Sequence, residues 1–253
     1  MLFIGLDLAW GKANGSGGVV LEAHAGQPAT VRDVQDALGD DAHILSWVEG
    51  WDAAAGHGGL LVGVDAPLRV PNETGKRPCE TELGRRFARF QAGAHPANRT
   101  LFRGYVRGED LATRLGERGI AHDPYLDIPQ DSARRQVMEV FPHPAHIVLF
   151  GLTKTLKYKA KPGRTYEMRW EVFAEYSRLL RALQARDPPL RLPSNWPPRA
   201  VSGVTGGALK RLEDSMDALT CAYIVYYYWW HGQSSGEVIG DMTDGYIVVP
   251  RAV

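Results

Sequence analysis

The sequence predicts an α/β fold in which helices flank a mixed central sheet. Strand and helix patterns alternate in the order strand, strand, strand, helix, strand over residues 2–66. The chain has 253 residues, of which 44% are hydrophobic, so it is long enough to bury a full core. Turn residues join the first two strands as an antiparallel hairpin, and the fourth strand invites a parallel neighbour. We expect one domain over residues 1–253.

The first part of the chain contains the sheet-forming segments. Ile44, Leu45 and Val48 have helical spacing, and Asp41 is the predicted cap of that helix. The predicted elements, in order, are a strand at 2–10, a glycine-rich turn at 11–17, a strand at 17–23, a short strand at 29–34, a helix at 41–51 and a strand at 60–66.

The rest of the chain adds an insertion and long helices. Residues 67–134 interrupt the α/β pattern and are predicted to be a helical insertion. The predicted elements are helices at 80–91 and 109–118, a strand at 135–141, a helix from 143, a basic loop at 157–164, helices at 166–186 and 209–230, and a hairpin at 236–250 that turns on Asp244-Gly245.

Composition excludes several classes of protein. Cys79 and Cys221 are the two cysteines, so neither a disulfide framework nor a cysteine-rich zinc site is expected. The N-terminus lacks the basic start of a signal peptide. The most apolar segment, 219–230, is too short to cross a bilayer. These features predict a cytoplasmic protein without a membrane partner.

The net charge of zero conceals an uneven distribution. Segments 1–65, 66–118, 119–150, 151–211 and 212–253 carry −7, +5, −2, +9 and −5. Of the 29 basic residues 22 are Arg, which suits bidentate contacts with phosphate. The sum therefore does not exclude nucleic acid as a partner, although basic helices that simply face solvent would give the same pattern.

Several carboxylates occur in apolar surroundings. Asp7 and Asp65 each end a glycine–apolar–aspartate pattern in a predicted buried strand, and Glu139 lies in a third strand. Asp214 and Asp217 are three residues apart and share a helix face. Converging carboxylates repel unless a cation lies between them, and Mg²⁺ or Mn²⁺ prefers such oxygen ligands. Any one of these acids alone is more often a cap or an ion-pair partner.

The chain resembles the predicted-nuclease family known as domain of unknown function 429, and the segment 213–219 resembles the Asp-x-x-Asp-Ala-Leu motif of Holliday-junction resolvases of the RuvC type. The segments that carry the family resemblance are Gly5-Leu6-Asp7-Leu8-Ala9-Trp10, Val64-Asp65-Ala66-Pro67-Leu68, Arg77-Pro78-Cys79-Glu80, Glu139-Val140-Phe141-Pro142-His143-Pro144, Lys157-Tyr158-Lys159, Asp217-Ala218-Leu219-Thr220-Cys221-Ala222 and Gly245-Tyr246-Ile247-Val248-Val249-Pro250.

This resemblance implies a ribonuclease H-like fold and metal-dependent phosphodiester hydrolysis, with Mg²⁺ or Mn²⁺ as cofactor and nucleic acid as partner. The implied metal ligands are Asp7, which would bridge the ions, Asp65, where a resolvase usually has Glu, and Asp217 on the late helix. Asp214 would assist them. Glu139 is a further catalytic candidate without a counterpart in the resolvase pattern.

Basic side chains near these acids are the candidate substrate-binding residues: Arg77, Lys157, Lys159, Lys161 and Arg164. A solvated loop and a salt-bridged surface helix are the competing interpretations. For His143 and His146, local packing is favoured over a metal or proton-transfer role. The aromatic run 223–230 is interpreted as core, with base stacking as the alternative.

Two other functions remain open. Sugar-kinase and actin-like ATPases share the core fold, but they expect Gly and Thr or Ser after the first-strand aspartate, where this chain has Leu8-Ala9-Trp10. Gly206-Gly207 is the one turn that resembles their nucleotide site. The other possibility is a non-catalytic scaffold in which the acids are structural. DNA or RNA preference and oligomeric state are left open.

Overall fold

A computed structural model describes residues 1–11, 15–24 and 26–251 of the chain. The predicted turn at 11–17 therefore lies partly outside the described residues. No helix within the described ranges is both long enough and apolar enough to span a bilayer.

A seven-stranded sheet forms the centre of the described structure, in the spatial order β5-β6-β4-β1-β2-β3-β7. β1 pairs in parallel with β4, β4 pairs in parallel with β6, and β2 is antiparallel to both β1 and β3. The strands of this sheet are β1 (Leu2–Asp7), β2 (Ser16–Glu22), β3 (Ala29–Leu38), β4 (Leu60–Val64), β5 (Ala121–His122), β6 (Arg135–Glu139) and β7 (Leu190–Arg191). The hairpin β8 (Gly236–Asp241) and β9 (Gly245–Pro250) is a separate two-stranded sheet.

Helices cover both faces of the sheet. They are α1 (Asp41–Ala54), α2 (Pro78–Phe87), α3 (Arg107–Gly116), α4 (Pro142–Phe150), α5 (Tyr166–Ala182) and α6 (Gly206–His231). Because side chains alternate along a strand, β1 contributes Ile4 to a core with α1 and α3, and Phe3 to a second core with α6. The predicted α/β class, with a central sheet flanked by helices, is confirmed.

α6 lies unusually close to the sheet because glycines face it. A β-carbon at Gly5 would lie 2.0 Å from the Ala218 carbonyl oxygen, and one at Gly63 would lie 2.7 Å from that of Cys221. Any larger residue would push the helix away. The predicted core role of the aromatic run is also confirmed, since Tyr223 to Trp229 are buried.

Local predictions differ from the structure at several points. The cap of α1 is Asp40, whose side chain accepts from the His43 amide, whereas Asp41 is the first helical residue and binds Arg107. The prediction of Asp41 as the cap was wrong because two adjacent aspartates fit the same pattern. The strands β5 and β7 were not predicted, since two residues give no periodicity. The segment 67–134 contains α2, α3 and β5.

Candidate active site

The carboxyl ends of β1 and β4 place two aspartates side by side. Gly5 pairs with Gly63 in the parallel register, so Asp7 and Asp65, each two residues later, follow on the same face of the sheet. That face is the one covered by α6. The glycine–apolar–aspartate pattern thus has a physical reason. The glycine leaves room for α6 to lie against the strand, and the aspartate that follows it lies beside the preceding turn of α6, near Asp214 and Asp217.

A pocket of about 890 Å³ opens at this point. Asp7, Asp65 and Asp214 contribute to its lining. The cationic side chains that line it are Lys157, Lys159, Lys161, Arg164, Lys210 and Arg211. The structure therefore brings four of the five predicted substrate-binding residues to the same cavity as three of the predicted acids.

Asp217 lies beneath the pocket, is fully buried, and is already paired. Its Oδ1 accepts hydrogen bonds from the hydroxyls of Tyr158 at 2.6 Å and Tyr176 at 3.1 Å. Its Oδ2 lies 2.9 Å from Nζ of Lys159. Burial opposes ionisation, but the Lys159 ammonium, together with smaller contributions that include the Tyr158 hydrogen bond, lowers the pKa of Asp217. The carboxylate is therefore a fixed anion with three partners.

The Lys159 ammonium interacts electrostatically with three of the aspartates, Asp217, Asp7 and Asp65. Burial disfavours its charged form, yet Asp217, followed by Asp7 and Asp65, raises the pKa of Lys159 well above its usual value. Arg164 donates to the Lys159 backbone carbonyl at 2.9 Å and so braces the loop. The ammonium is consequently a permanent positive charge at the base of the pocket.

Asp7 shares a hydrogen bond with Asp214, and within the described ranges neither Asp7 nor Asp65 has a lysine or tyrosine contact like those of Asp217. Burial, together with the neighbouring carboxylates, raises the pKa of Asp7 well above its ordinary value and that of Asp65 to about 7. Oδ2 of Asp7 is buried without a hydrogen-bond partner. Perturbed carboxylates of this kind, at the wall of a cleft, are typical of functional sites.

The aspartates at this pocket provide only part of the ligand set that a divalent-cation site requires. Across the described ranges, no three His, Cys, Asp or Glu side chains are placed to hold a metal ion together. Asp217 is directed to Lys159 and two tyrosines instead. Mg²⁺, however, is commonly held by one or two carboxylates together with substrate phosphates. Asp7 and Asp65, with the unpaired oxygen of Asp7, fit that smaller requirement.

Asp214 is held at the pocket wall by Lys210, four residues earlier on α6. Nζ of Lys210 binds Oδ1 of Asp214 and lies 2.9 Å from Oε1 of Glu213. Burial raises the pKa of Asp214 despite the Lys210 ammonium. Lys210 was not among the predicted site residues, although its i,i+4 spacing to Asp214 is a signal present in the sequence.

Arg77 and Glu139 lie apart from the pocket lining and bind each other. Nη2 of Arg77 is 2.6 Å from Oε1 of Glu139, and Nη1 is 2.8 Å from Oε2. Glu139 also accepts from the Leu68 amide at 2.9 Å, and Arg77 binds Glu80. Both side chains are at most 5% exposed. The structure thus places both side chains outside the pocket lining, where they join α2 to β6, and their predicted catalytic and substrate-binding roles stay predictions.

Of the two histidines that follow β6, His146 is buried, whereas His143 is half-buried and lines the pocket. His143 bonds Thr155 through Nδ1 at 3.0 Å, and His146 bonds the Tyr176 hydroxyl through Nε2 at 2.9 Å. Burial lowers the pKa of His143 to about 3 and that of His146 to about 4, so both rings are neutral. These contacts agree with the favoured interpretation of local packing.

Comparison with known proteins gives one match. The family model described as "Protein of unknown function (DUF429)" matches residues 5–241, which is most of the chain and includes every candidate acid. Neither the curated proteins nor the solved structures contain a match to the chain. The extent of the family match shows that the chain belongs to the DUF429 family.

Proposed function

We propose that this protein is a divalent-metal-dependent nuclease that hydrolyses phosphodiester bonds, with a ribonuclease H-like fold. The observation that carries the proposal is the pocket that joins two carboxylates with raised pKa values, Asp7 and Asp65, to six cationic side chains. The cationic side chains would bind the phosphates of a polyanion, and the carboxylates would bind a hard metal ion. The sheet order β3-β2-β1-β4-β6, with β2 antiparallel, supports the fold part of the proposal.

In this proposal, Asp7 and Asp65 would hold the metal ion, and its chemistry would be to activate a water molecule and stabilise the leaving oxygen. The basic loop that contains Lys157, Lys161 and Arg164 binds the phosphates on either side of the reacting bond. Because the pKa of Asp65 is raised to about 7, its carboxyl group is present in both the protonated and the ionised form near neutral pH. A bound cation favours the ionised form.

Asp217 and Lys159 act as a unit in this arrangement. Lys159 directs a fixed positive charge toward the reacting phosphate, and Asp217 is the positioning residue that holds Lys159 in place at 2.9 Å. Tyr158 and Tyr176 hold Asp217 in turn. This role differs from the metal-ligand role that the family resemblance implies for Asp217, because its oxygens are already engaged.

Cleavage assays test the proposal. The protein is incubated with Mn²⁺ and single-stranded, double-stranded, hybrid and branched substrates. We expect cleavage of at least one substrate, and its loss together with calorimetric Mn²⁺ binding in Asp7→Asn. Asp244→Asn, an exposed aspartate on the distant hairpin, is the control and retains both. Cleavage that is unchanged in Asp7→Asn would refute the assignment.

A phosphotransferase of the sugar-kinase or actin type is the second candidate. The favouring observation is that Gly207, in the first turn of α6, lines the same pocket. ATP binding by calorimetry that persists in Asp7→Asn would favour it. If the protein shows neither Mn²⁺ nor ATP binding, the scaffold interpretation is preferred.

A further inference from the structure

Trp10 is an exposed aromatic side chain at the wall of the pocket. It lies three residues after Asp7, lines the main pocket and is 46% exposed. In the aromatic run 223–230, which was the sequence candidate for base stacking, residues 223–229 are buried in the core, and the run does not line this pocket. Trp10 is therefore the large exposed aromatic residue that the described structure offers to a ligand in this cavity.

The indole is braced on one side. The ring of Phe102 meets it edge-on, with 5.2 Å between ring centroids and 63° between planes. Trp10 also borders a small second cavity together with Phe102 and Val106. The indole thus lines two cavities and keeps a solvent-exposed surface.

The backbone that carries Trp10 is held firmly. The Ala9 amide donates to Oγ of Ser16 at 3.2 Å, and the Ala9 carbonyl accepts from Arg107 at 2.7 Å. Arg107 is itself buried and lies 2.6 Å from Asp41. A side chain on such an anchored segment loses less freedom on binding than one on a loose loop.

We propose that Trp10 is a base-stacking platform and that the nucleic acid bound in this pocket is unpaired there. The proposal rests on the proposed function, which supplies the phosphate-binding cations. Three residues reach at most about 11 Å, so a base on Trp10 belongs to a nucleotide next to the phosphate at Asp7. In a duplex, both faces of each base are stacked, so only a single strand or a flipped base presents a face to Trp10.

The test measures binding without cleavage. Fluorescein-labelled oligothymidylate, an abasic oligomer with the same number of phosphates, and a duplex are titrated by anisotropy in Ca²⁺. The proteins are the wild type, Trp10→Ala, Trp10→Phe and Leu101→Ala. Leu101 is the matched control, since it is 54% exposed and outside the pocket lining. Circular dichroism confirms that each variant is folded.

We expect Trp10→Ala to weaken oligothymidylate binding about tenfold, which corresponds to ~1.4 kcal/mol and lies in the range for stacking on one aromatic ring. Trp10→Phe recovers part of this loss, and Leu101→Ala matches the wild type. Binding of the abasic oligomer is the same in wild type and Trp10→Ala.

Two results overturn the stacking proposal in different ways. If Trp10→Ala weakens the abasic oligomer as much as oligothymidylate, or leaves both unchanged, Trp10 does not read bases, although the polyanion site stands. If the wild type binds none of the three probes, the phosphate-binding part of the proposed function fails, and the stacking proposal fails with it.

Discussion

Asp7, Asp65 and Asp217 are aspartates whose negative charges have different surroundings. Asp217 is buried against a lysine and two tyrosine hydroxyls, and its pKa is lowered. Asp7 and Asp65 are half-buried, and their burial together with the Asp217 carboxylate raises their pKa values. The same residue type is thus a permanent anion in one place and a titratable group in two others, because the Lys159 ammonium and the tyrosine hydroxyls contact Asp217.

Asp65 gives a pH dependence of stability. Its pKa in the folded state is about 7 against 3.8 in the unfolded chain, so the folded state binds more protons within that window. Without divalent ions, the free energy of unfolding therefore falls as pH rises from 3.8 to about 7, by up to ~1.4 kcal/mol per pH unit. Urea unfolding in EDTA at several pH values measures this slope.

Asp65→Asn reduces that slope, while Asp244→Asn, whose exposed carboxylate faces solvent, retains it. Equal slopes in wild type and Asp65→Asn would contradict the assignment of the raised pKa to Asp65.

The Arg77–Glu139 pair predicts a large effect on stability. Arg77→Met leaves the Glu139 carboxylate buried without its main partner, so we expect a loss of about 3–5 kcal/mol in the free energy of unfolding. The double variant Arg77→Met/Glu139→Leu recovers much of that loss. Arg85→Met on the same helix is the control, with a change within about 0.5 kcal/mol, because its side chain is 74% exposed.

A double variant that is no more stable than Arg77→Met alone would count against a direct energetic coupling between the two side chains.

At the scale of elements, the contact between α6 and the sheet determines the site. Gly5 and Gly63 place the helix backbone against β1 and β4, which brings Asp217 under the pocket that Asp7 and Asp65 line. The C-terminal half of α6 is core, and the N-terminal half contains the acids. A shift of this helix therefore changes the core and the site together.

Gly5→Ala tests this contact. Its β-carbon would overlap the Ala218 carbonyl oxygen. We therefore expect the free energy of unfolding, measured with urea or heat, to fall by about 1–3 kcal/mol. Gly50→Ala in the exposed part of α1 has open space and is expected to stabilise by about 0.5–1 kcal/mol through helix propensity. Equal effects of the two substitutions would mean that α6 is not in close contact with β1.

At the scale of the whole molecule, the pocket combines segments of opposite charge. The acidic segment 1–65 contributes Asp7 and Asp65, and the basic segment 151–211 contributes all six cations. Segments of opposite charge that alternate along the chain thus lie next to each other in space, where they line one cavity.

The salt dependence of oligonucleotide binding measures how many of these cationic side chains contact phosphates. If Lys161 contacts one phosphate, Lys161→Gln lowers the slope of log K against log salt by about 0.7 for a single strand. Lys154→Gln is the matched control, because Lys154 is exposed nearby but outside the main pocket. An unchanged slope in Lys161→Gln would remove this side chain from the phosphate-binding set.

Much of the fold was predictable, because β1, β4 and α6 have long apolar patterns with clear periods. The placement of Asp7 beside Asp65 was also predictable, because parallel strands end at the same edge. The sequence left open whether the basic loop lies beside them. The Arg77–Glu139 pair was not, since 62 residues separate two ordinary charges. Nor was the pairing of Asp217 with Lys159, because spacing along the chain does not reveal which cation reaches a buried acid.

The position of α6 has a consequence for biosynthesis. The strands with Asp7 and Asp65 are synthesised before α6, the helix that covers them, which begins at Gly206. A nascent chain that ends before Gly206 has two of the carboxylates but lacks Asp217, and therefore the lysine–aspartate pair beneath the pocket. We therefore expect the pocket to be completed only after α6 has been translated.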